Sequence, residues 1–160
     1  VLPPSLGFTE RNRRPPRDPF NALISLTYTL LTAEIAMALH IAGYDPCIGY
    51  YHRLSQGRES LACDLLEPLR PQADALCLNL VASQTLTADH FNTTDAGCLL
   101  GKAGRTRYYA AYEEGAAPLR RAIADRVRDL ARRVSPDLPE PDTELSPPPA
   151  DDAPATSWPA

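Results

Sequence analysis

Three side chains that suit metal-dependent chemistry lie close together in the sequence. Asp64 and Glu67 follow His52 by twelve and fifteen residues, and they stand three residues apart. On a helix this spacing places both carboxylates on one face, with β-carbons about 5–6 Å apart. Carboxylates among apolar neighbours are costly to bury unless something pairs with them. An imidazole with two carboxylates suits Mg²⁺ or Mn²⁺, ions that assist phosphate chemistry.

The same residues also have a purely structural interpretation. A histidine in a loop is most often a polar surface group, and two acids at helical spacing most often belong to an exposed face. Arg70, three residues after Glu67, could pair with that acid or with a phosphate, and the structural pairing is favoured. The residues around the acids are apolar, which favours a largely buried helix, so we expect both acids to line a pocket. These apolar residues are Leu61, Ala62, Cys63, Leu65 and Leu66.

The elements that must position these residues are helical, and the sequence predicts an all-α, multi-helix domain. Asp18-Pro19 is a helix start, with a capping residue before a proline at the first helical position. A central helix should run from about 19 to 42, with apolar residues almost all round it. This run is long enough to span a bilayer, but its polar residues, including Glu34 and His40, favour a buried helix and no membrane.

The remaining elements follow from turn residues and apolar periodicity. We expect a loop over 43–57 that carries His52, and a second helix from near Arg58 that carries both acids. Pro68 and Pro71 should kink or divide this helix, with a third segment ending near Ser83. Beyond it we expect a short capped turn at 87–91, a loop at 92–97, a brief strand at 98–100, a helix at 102–114 and an amphipathic helix at 118–134.

The two ends of the chain differ from the middle. Residues 1–18 contain two proline pairs and a basic cluster, and they predict an extended lead-in; the cluster is Arg11, Arg13, Arg14 and Arg17. Residues 136–160 contain eight prolines, six acids and no base, and they should be disordered. The predicted organisation is therefore a lead-in over 1–18, a helical domain over 19–135 and a tail over 136–160.

Charge and cysteine content limit the classes of function. Residues before 136 carry sixteen bases and fourteen acids, a net charge of +2 that is compatible with nucleic-acid binding but does not require it. The four cysteines show no CxxC pair and no zinc spacing, which predicts reduced packing residues in a cytoplasmic protein. The chain starts with Val rather than Met, so we expect it to be a piece of something longer or a processed product.

Three blocks of sequence resemble one known family. They are NRRPPRDPFNALIS at 12–25, GYDPCIGYYH at 43–52 and SLACDLLEPLRP at 60–71. In order and spacing they are similar to the CRISPR-associated (Cas) spacer-acquisition integrase and endonuclease family. The resemblance extends over residues 8–114, and it implies a fragment of the family's C-terminal helical domain.

The resemblance also implies roles for the residues above. By match, His52 and Glu67 would be metal ligands and Asp64 a neighbouring catalytic acid. The family's third ligand is an upstream glutamate whose position falls before Val1. Glu34 is not its equivalent, because it lies inside the first helix, where we expect a buried structural or supporting role.

The implied activity is that of a metal-dependent DNA endonuclease and integrase that inserts new spacers by transesterification. Its partners would be double-stranded DNA of the prespacer and the CRISPR repeat, a small companion Cas adaptation protein and a second copy of the enzyme. Some members are fused to reverse transcriptases, and whether the parent of this chain is such a fusion stays open. The alternative is a catalytically inactive helical module for DNA binding or assembly. Candidate DNA contacts are Arg11, Arg13, Arg14, Arg17 and Arg70.

Overall fold

The protein is mostly helical, as expected. The computed structural model describes residues 2–12, 14–53 and 55–134. These ranges contain five α-helices and one β-hairpin: α1 (Pro19–Ile41), α2 (Ser60–Leu66), α3 (Arg70–Ala82), β1 (Phe91–Thr94), β2 (Gly97–Leu100), α4 (Lys102–Gly115) and α5 (Ala117–Val134). Short 3₁₀ turns lie at Pro4–Leu6, Glu67–Leu69 and Ala88–His90. The predicted all-α class is confirmed, and the predicted tail at 136–160 lies outside the described residues.

Helix α1 is the centre of the fold. Its first turn begins where predicted, because the Asp18 carboxylate accepts a hydrogen bond from the backbone N–H of Asn21 at 2.9 Å. The helix packs against α2, α3, β2 and α5. By length and composition alone α1 could cross a membrane. Here it is the helix around which the others pack, and its fully buried side chains include Leu23, Leu31, Ile35 and Leu39.

We expect Ile35→Ala to lower the free energy of unfolding by about 2–5 kcal/mol, because the truncation leaves a cavity at a fully buried position. Met37→Ala is the matched control: this side chain on the same helix is 58% exposed, and its loss should cost about 0.5 kcal/mol or less. Urea denaturation of the two variants measures the difference. Equal losses would show that α1 is not the centre of the core.

The helix predicted to carry both acids is divided. Helix α2 ends at Leu66, a 3₁₀ turn covers Glu67–Leu69, and α3 starts at Arg70. Pro68 lacks the N–H that an uninterrupted helix would use, so the predicted break at the prolines is confirmed. One detail was wrong: Glu67 lies in the 3₁₀ turn and not on the helix of Asp64.

The segment predicted as a loop at 92–97 is wrong in part, because it forms half of a β-hairpin. Strand β1 pairs with β2 in antiparallel register, with Phe91 opposite Leu100 and Thr94 opposite Gly97. The strand expected at 98–100 is present. Only Phe91 of β1 is buried, so the strand offers little apolar alternation from which it could be recognised.

The lead-in is attached to the core by apolar contacts. Leu6 is 2% exposed, and the Phe8 ring meets the Phe20 ring edge to face, with centroids 5.3 Å apart. These contacts, one at the end of the Pro4–Leu6 turn and one just after it, hold the segment against the core and the first turn of α1. The division of the chain at residues 18 and 135 stays a prediction.

Candidate active site

The structure brings His52, Asp64 and Glu67 together. His52 lies in the loop before α2, and its Nδ1 atom is 2.5 Å from Oδ1 of Asp64. Its other ring nitrogen, Nε2, is 4.0 Å from Oε1 of Glu67. The imidazole therefore lies between the two carboxylates, with one nitrogen directed to each.

Asp64 is buried beneath the loop that carries His52. Its side chain is 0% exposed. The Oδ2 atom accepts hydrogen bonds from the backbone N–H groups of Tyr50 and Tyr51 at 2.8 and 2.9 Å. The Oδ1 atom accepts the backbone N–H of His52 at 3.0 Å as well as its ring. The expectation that both acids line a pocket is thus wrong for Asp64, which binds the loop from below.

The close approach of this loop to Asp64 requires a glycine at position 49. A β-carbon placed on Gly49 would lie 2.8 Å from Asp64 Oδ2 and 2.8 Å from the carbonyl oxygen of His52. The loop is also fixed to the start of α2, where the Ser60 hydroxyl donates to the carbonyl of Arg53 at 3.1 Å. Gly49 and Ser60 both lie in the blocks of sequence quoted above, but residue spacing assigned neither of them a role.

The electrostatics of Asp64 determine the tautomer of His52. Burial opposes the ionised carboxylate, but the hydrogen bonds from the Tyr51 N–H, the His52 ring and the N–H groups of His52 and Tyr50 outweigh it and lower the pKa of Asp64. An ionised carboxylate only accepts hydrogen bonds, so Nδ1 of His52 carries the proton. In the tautomer with its proton on Nδ1, a neutral imidazole would direct the lone pair of Nε2 towards Glu67, the arrangement by which carboxylates orient metal-binding histidines.

Glu67 is more exposed and is paired with Arg70. Its side chain is 38% exposed, and Arg70 Nη2 lies 2.7 Å from Oε1, the pairing that the sequence favoured. The Arg70 guanidinium also lies over the ring of Tyr28, 5.2 Å from the centroid, and Arg11 approaches the same ring at 5.8 Å. The Tyr28 hydroxyl donates to Asp74 at 2.7 Å. Two of the predicted DNA-contacting arginines thus meet at a tyrosine that the sequence did not indicate.

The arginines of the lead-in differ in their surroundings. Arg11 donates to the side-chain oxygen of Asn21 at 2.6 Å. Arg14 and Arg17 are exposed. Arg13 lies outside the described residues. None of these positions tests DNA binding, so the assignment of the lead-in arginines to DNA contacts stays a prediction.

Glu34 takes the structural role expected for it. Its carboxylate pairs with Arg120 of α5 at 2.9 Å, and the same guanidinium pairs with Glu113 of α4 at 2.8 Å. This pairing joins α1 to α4 and α5. A cavity of about 260 Å³ lies beside it, between α1 and α5, and none of its lining residues belongs to the loop of His52 or to α2.

The donor set fits part of a metal site. Across the described ranges, no group of three or more His, Cys, Asp or Glu side chains is placed to hold an ion. The reason is that Asp64 occupies the far side of the imidazole, which leaves Nε2 of His52 and the carboxylate of Glu67 as two donors. A neutral imidazole nitrogen and a carboxylate oxygen are ligands that Mn²⁺ and Mg²⁺ accept, and the other positions would go to water or to further residues.

Comparison with known proteins gives one consistent match. Residues 1–114 match the family described as CRISPR associated protein Cas1. The chain is 40% identical over 136 residues to "CRISPR-associated endonuclease Cas1 1" of Thermodesulfovibrio yellowstonii, covering 84% of this chain and 43% of the relative. It is also 41% identical over 149 residues to a Cas4 exonuclease/Cas1 endonuclease fusion of Rhodospirillum rubrum, covering 85% and 26%.

Solved structures show the same fold. A Cas1 protein from Thermotoga maritima superposes with a TM-score of 0.73 at 29% identity, over 81% of this chain and 43% of that one. The Cas6-RT-Cas1–Cas2 complex gives 0.69 at 27% identity, over 81% and 15%. A casposase bound to its integration product gives 0.77 at 24% identity, over 89% and 44%, a likeness of fold alone.

The family resemblance that the three blocks of sequence indicated is therefore confirmed. The chain spans less than half the length of these relatives. By its sequence match and its fold, this chain belongs to the Cas1 family of CRISPR-associated proteins.

Proposed function

We propose that this chain forms part of the active domain of a metal-dependent DNA endonuclease and integrase that acts in CRISPR adaptation in the cytoplasm. The observation that carries the proposal is the pair of donors at the site: Nε2 of His52 and Oε1 of Glu67 stand 4.0 Å apart, while Asp64 holds the opposite ring nitrogen. The names of the relatives, which are endonucleases, support the same class of reaction.

Each site residue has a distinct role in this proposal. His52, through Nε2, and Glu67, through its carboxylate, would hold Mg²⁺ or Mn²⁺. The ion, when bound, supplies stabilisation of negative charge on a phosphoryl oxygen. Asp64 is a positioning residue, because its buried carboxylate touches the loop and the ring and leaves no surface for substrate. Arg70 fixes the Glu67 carboxylate and adds positive charge beside it.

The proposed reaction is a transesterification of DNA. The 3′-hydroxyl of a short DNA fragment attacks a phosphodiester of the CRISPR repeat, and a new P–O bond forms at that phosphorus. The original P–O bond breaks, and the proton lost by the attacking hydroxyl is balanced by protonation of the leaving 3′-oxygen. In hydrolysis, water replaces the attacking hydroxyl. The number of phosphodiester bonds is conserved in the first reaction and falls by one in the second.

The proposed partners are double-stranded DNA, a small companion Cas adaptation protein and a second copy of the enzyme. The matched Cas6-RT-Cas1–Cas2 complex supports the companion protein. Because this chain spans less than half of its relatives, the third metal ligand and the partner surfaces belong in this proposal to the full-length protein.

Spin-echo spectroscopy of Mn²⁺ bound to the full-length protein tests the metal site without reference to activity. We expect modulation from a coordinated imidazole nitrogen, and we expect it to disappear in His52→Ala. His40→Ala is the matched control, since His40 lies exposed at the end of α1, and it should keep the signal. The absence of nitrogen coupling, or its persistence in His52→Ala, would remove His52 from the ligand set.

A second candidate is the catalytically inactive module for DNA binding or assembly. The lack of a three-donor group within the described part of the chain favours it. The two candidates differ in the full-length protein: an inactive module binds duplex DNA equally well with Mn²⁺ or with a chelator and joins no strands, whereas the enzyme needs the ion for strand joining.

A further inference from the structure

We propose that Tyr28 of α1 is a positioning residue of the metal site, which directs Arg70 towards Glu67 and away from Asp74. It acts through Arg70 on one of the two donors that the site offers to an ion. The residues that carry this inference lie on α1, on α3 and in the turn between α2 and α3. The inference rests on the proposed function, because it assigns a further residue to the same site.

The Glu67 carboxylate depends on a partner to keep its place beside His52. Glu67 lies in the 3₁₀ turn between α2 and α3, and its side chain is 38% exposed. A long side chain in such a position has several rotamers available. The ion pair with Arg70 joins Nη2 to Oε1 at 2.7 Å, and Oε1 is also the oxygen that lies 4.0 Å from Nε2 of His52. The position of Glu67 therefore depends on the position of Arg70.

Arg70 has two acids within reach along the chain. Glu67 stands three residues before it and Asp74 four residues after it, and both spacings allow an ion pair on helical turns. Within the described residues Arg70 pairs with Glu67 and forms no ion pair with Asp74. Helix α3 alone does not account for this choice, because Asp74 lies on the same helix as Arg70 and Glu67 does not.

Tyr28 engages Asp74 and Arg70 at the same time. Its hydroxyl donates to Oδ1 of Asp74 at 2.7 Å. Burial and the hydrogen bond to Asp74 raise the pKa of Tyr28, so the phenol keeps its proton and remains the donor. The Arg70 guanidinium lies over the ring, 5.2 Å from its centroid, which is within the range of a cation–π contact. One side chain thus occupies the competing acid and supports the arginine.

The ring supplies an orientation that hydrogen bonds do not give to Arg70. Its Nε atom is buried and has no hydrogen-bond partner in the part of the chain that the structure describes. The pair with Glu67 therefore does not use the two parallel bonds, through Nε and Nη2, that would fix the plane of the guanidinium by themselves. The contact with the Tyr28 ring fixes that plane instead.

The affinity of the full-length protein for Mn²⁺, measured from the free-ion signal in electron paramagnetic resonance, tests this role without reference to activity. Tyr28→Phe keeps the ring but removes the hydroxyl, which leaves Asp74 free to pair with Arg70. We expect Mn²⁺ to bind about 10-fold more weakly, because a partner that orients a ligand is lost. Tyr109→Phe removes a hydroxyl from an exposed ring on α4 and is the matched control, and it should keep Mn²⁺ affinity within about twofold.

Two combinations of substitutions show whether Tyr28 acts through Arg70 and Asp74. Adding Asp74→Asn to Tyr28→Phe removes the competing charge, so we expect Mn²⁺ affinity to return to within about threefold of the unmodified protein. In an Arg70→Gln protein there is no guanidinium to direct, so adding Tyr28→Phe should weaken binding by less than about twofold more. A tyrosine that only stabilised the fold would produce neither result.

The outcomes separate this inference from the proposed function. If the unmodified protein binds no Mn²⁺, the proposed metal site itself fails. If it binds Mn²⁺ and Tyr28→Phe keeps the affinity, or if Asp74→Asn does not restore it, Tyr28 does not direct Arg70, and the proposed function stands without it. Tyr28→Phe loses one hydrogen bond of a half-buried side chain and should remain folded, which urea denaturation of each variant checks.

Discussion

His52→Ala in the full-length protein should reduce metal-dependent joining of DNA strands by more than about 100-fold. The substitution removes Nε2, one of the two donors that the described residues offer to an ion. The fold should survive, because Asp64 still accepts the backbone N–H groups of Tyr50, Tyr51 and residue 52. A strand-transfer assay on labelled DNA with Mg²⁺ or Mn²⁺ measures the loss.

His40→Ala serves as the control for His52→Ala, because it removes the same side chain from an exposed position on α1. We expect strand joining to stay within about twofold of the unmodified protein, in line with the small effects of most surface substitutions. Full metal-dependent activity in His52→Ala, with normal folding, would mean that the histidine is structural and that the assignment of the active site is wrong.

Local features of the fold could be predicted from the sequence. Asp18 caps α1 through an atom three residues away, and Pro68 interrupts the helix in which it stands, so both effects act within one turn. The pairing of Arg70 with Glu67 is equally local. Each of these is set by neighbours in the chain, which is why composition and spacing were sufficient to find it.

The geometry of the site could not be predicted in the same way. Spacing placed Asp64 and Glu67 together as equivalent acids, but the structure gives them opposite surroundings. The difference arises because the loop from Gly49 to His52 folds over Asp64 and directs three backbone N–H groups at it. Backbone hydrogen bonds from a loop leave no periodicity in a sequence, and the only local sign of this one was the glycine.

The same limit applies to the residues around Tyr28. Arg11 and Arg70 approach one aromatic ring from positions far apart in the chain. Strand β1 was missed for a related reason: its pairing with β2 depends on backbone contacts, and three of the four β1 side chains face solvent. Residues joined only by tertiary structure have to be seen in three dimensions before a role can be assigned.

Substitutions of Asp64 can separate its contribution to the stability of the fold from its contribution to the orientation of His52. Asp64→Ala removes the acceptor for three backbone N–H groups and for the His52 ring at a fully buried position. A buried donor left without a partner costs about 1–3 kcal/mol, so we expect the free energy of unfolding to fall by about 3–5 kcal/mol in total. Urea denaturation of this chain measures that loss.

Asp64→Asn is the more informative variant, because it keeps the size of the side chain. One carboxylate oxygen becomes an NH₂ group, which has to face either the N–H groups of Tyr50 and Tyr51 or the N–H and Nδ1 of His52. In the second orientation Nδ1 becomes the acceptor and Nε2 carries the proton, so the ring no longer offers a lone pair towards Glu67. We expect Mn²⁺ affinity of the full-length protein to fall by about 10–100-fold.

The control for Asp64→Asn is Asp45→Asn, a substitution on the same loop at an exposed acid that accepts the N–H of Cys47. It should change stability by about 0.5 kcal/mol or less and leave Mn²⁺ affinity unchanged. If the role of Asp64 is purely structural, Asp64→Asn should lower the stability of the protein, but the molecules that remain folded should keep their metal affinity. If Asp64 orients His52, Asp64→Asn should lose metal affinity even where the protein is fully folded. Only that result connects the buried carboxylate to the chemistry of His52.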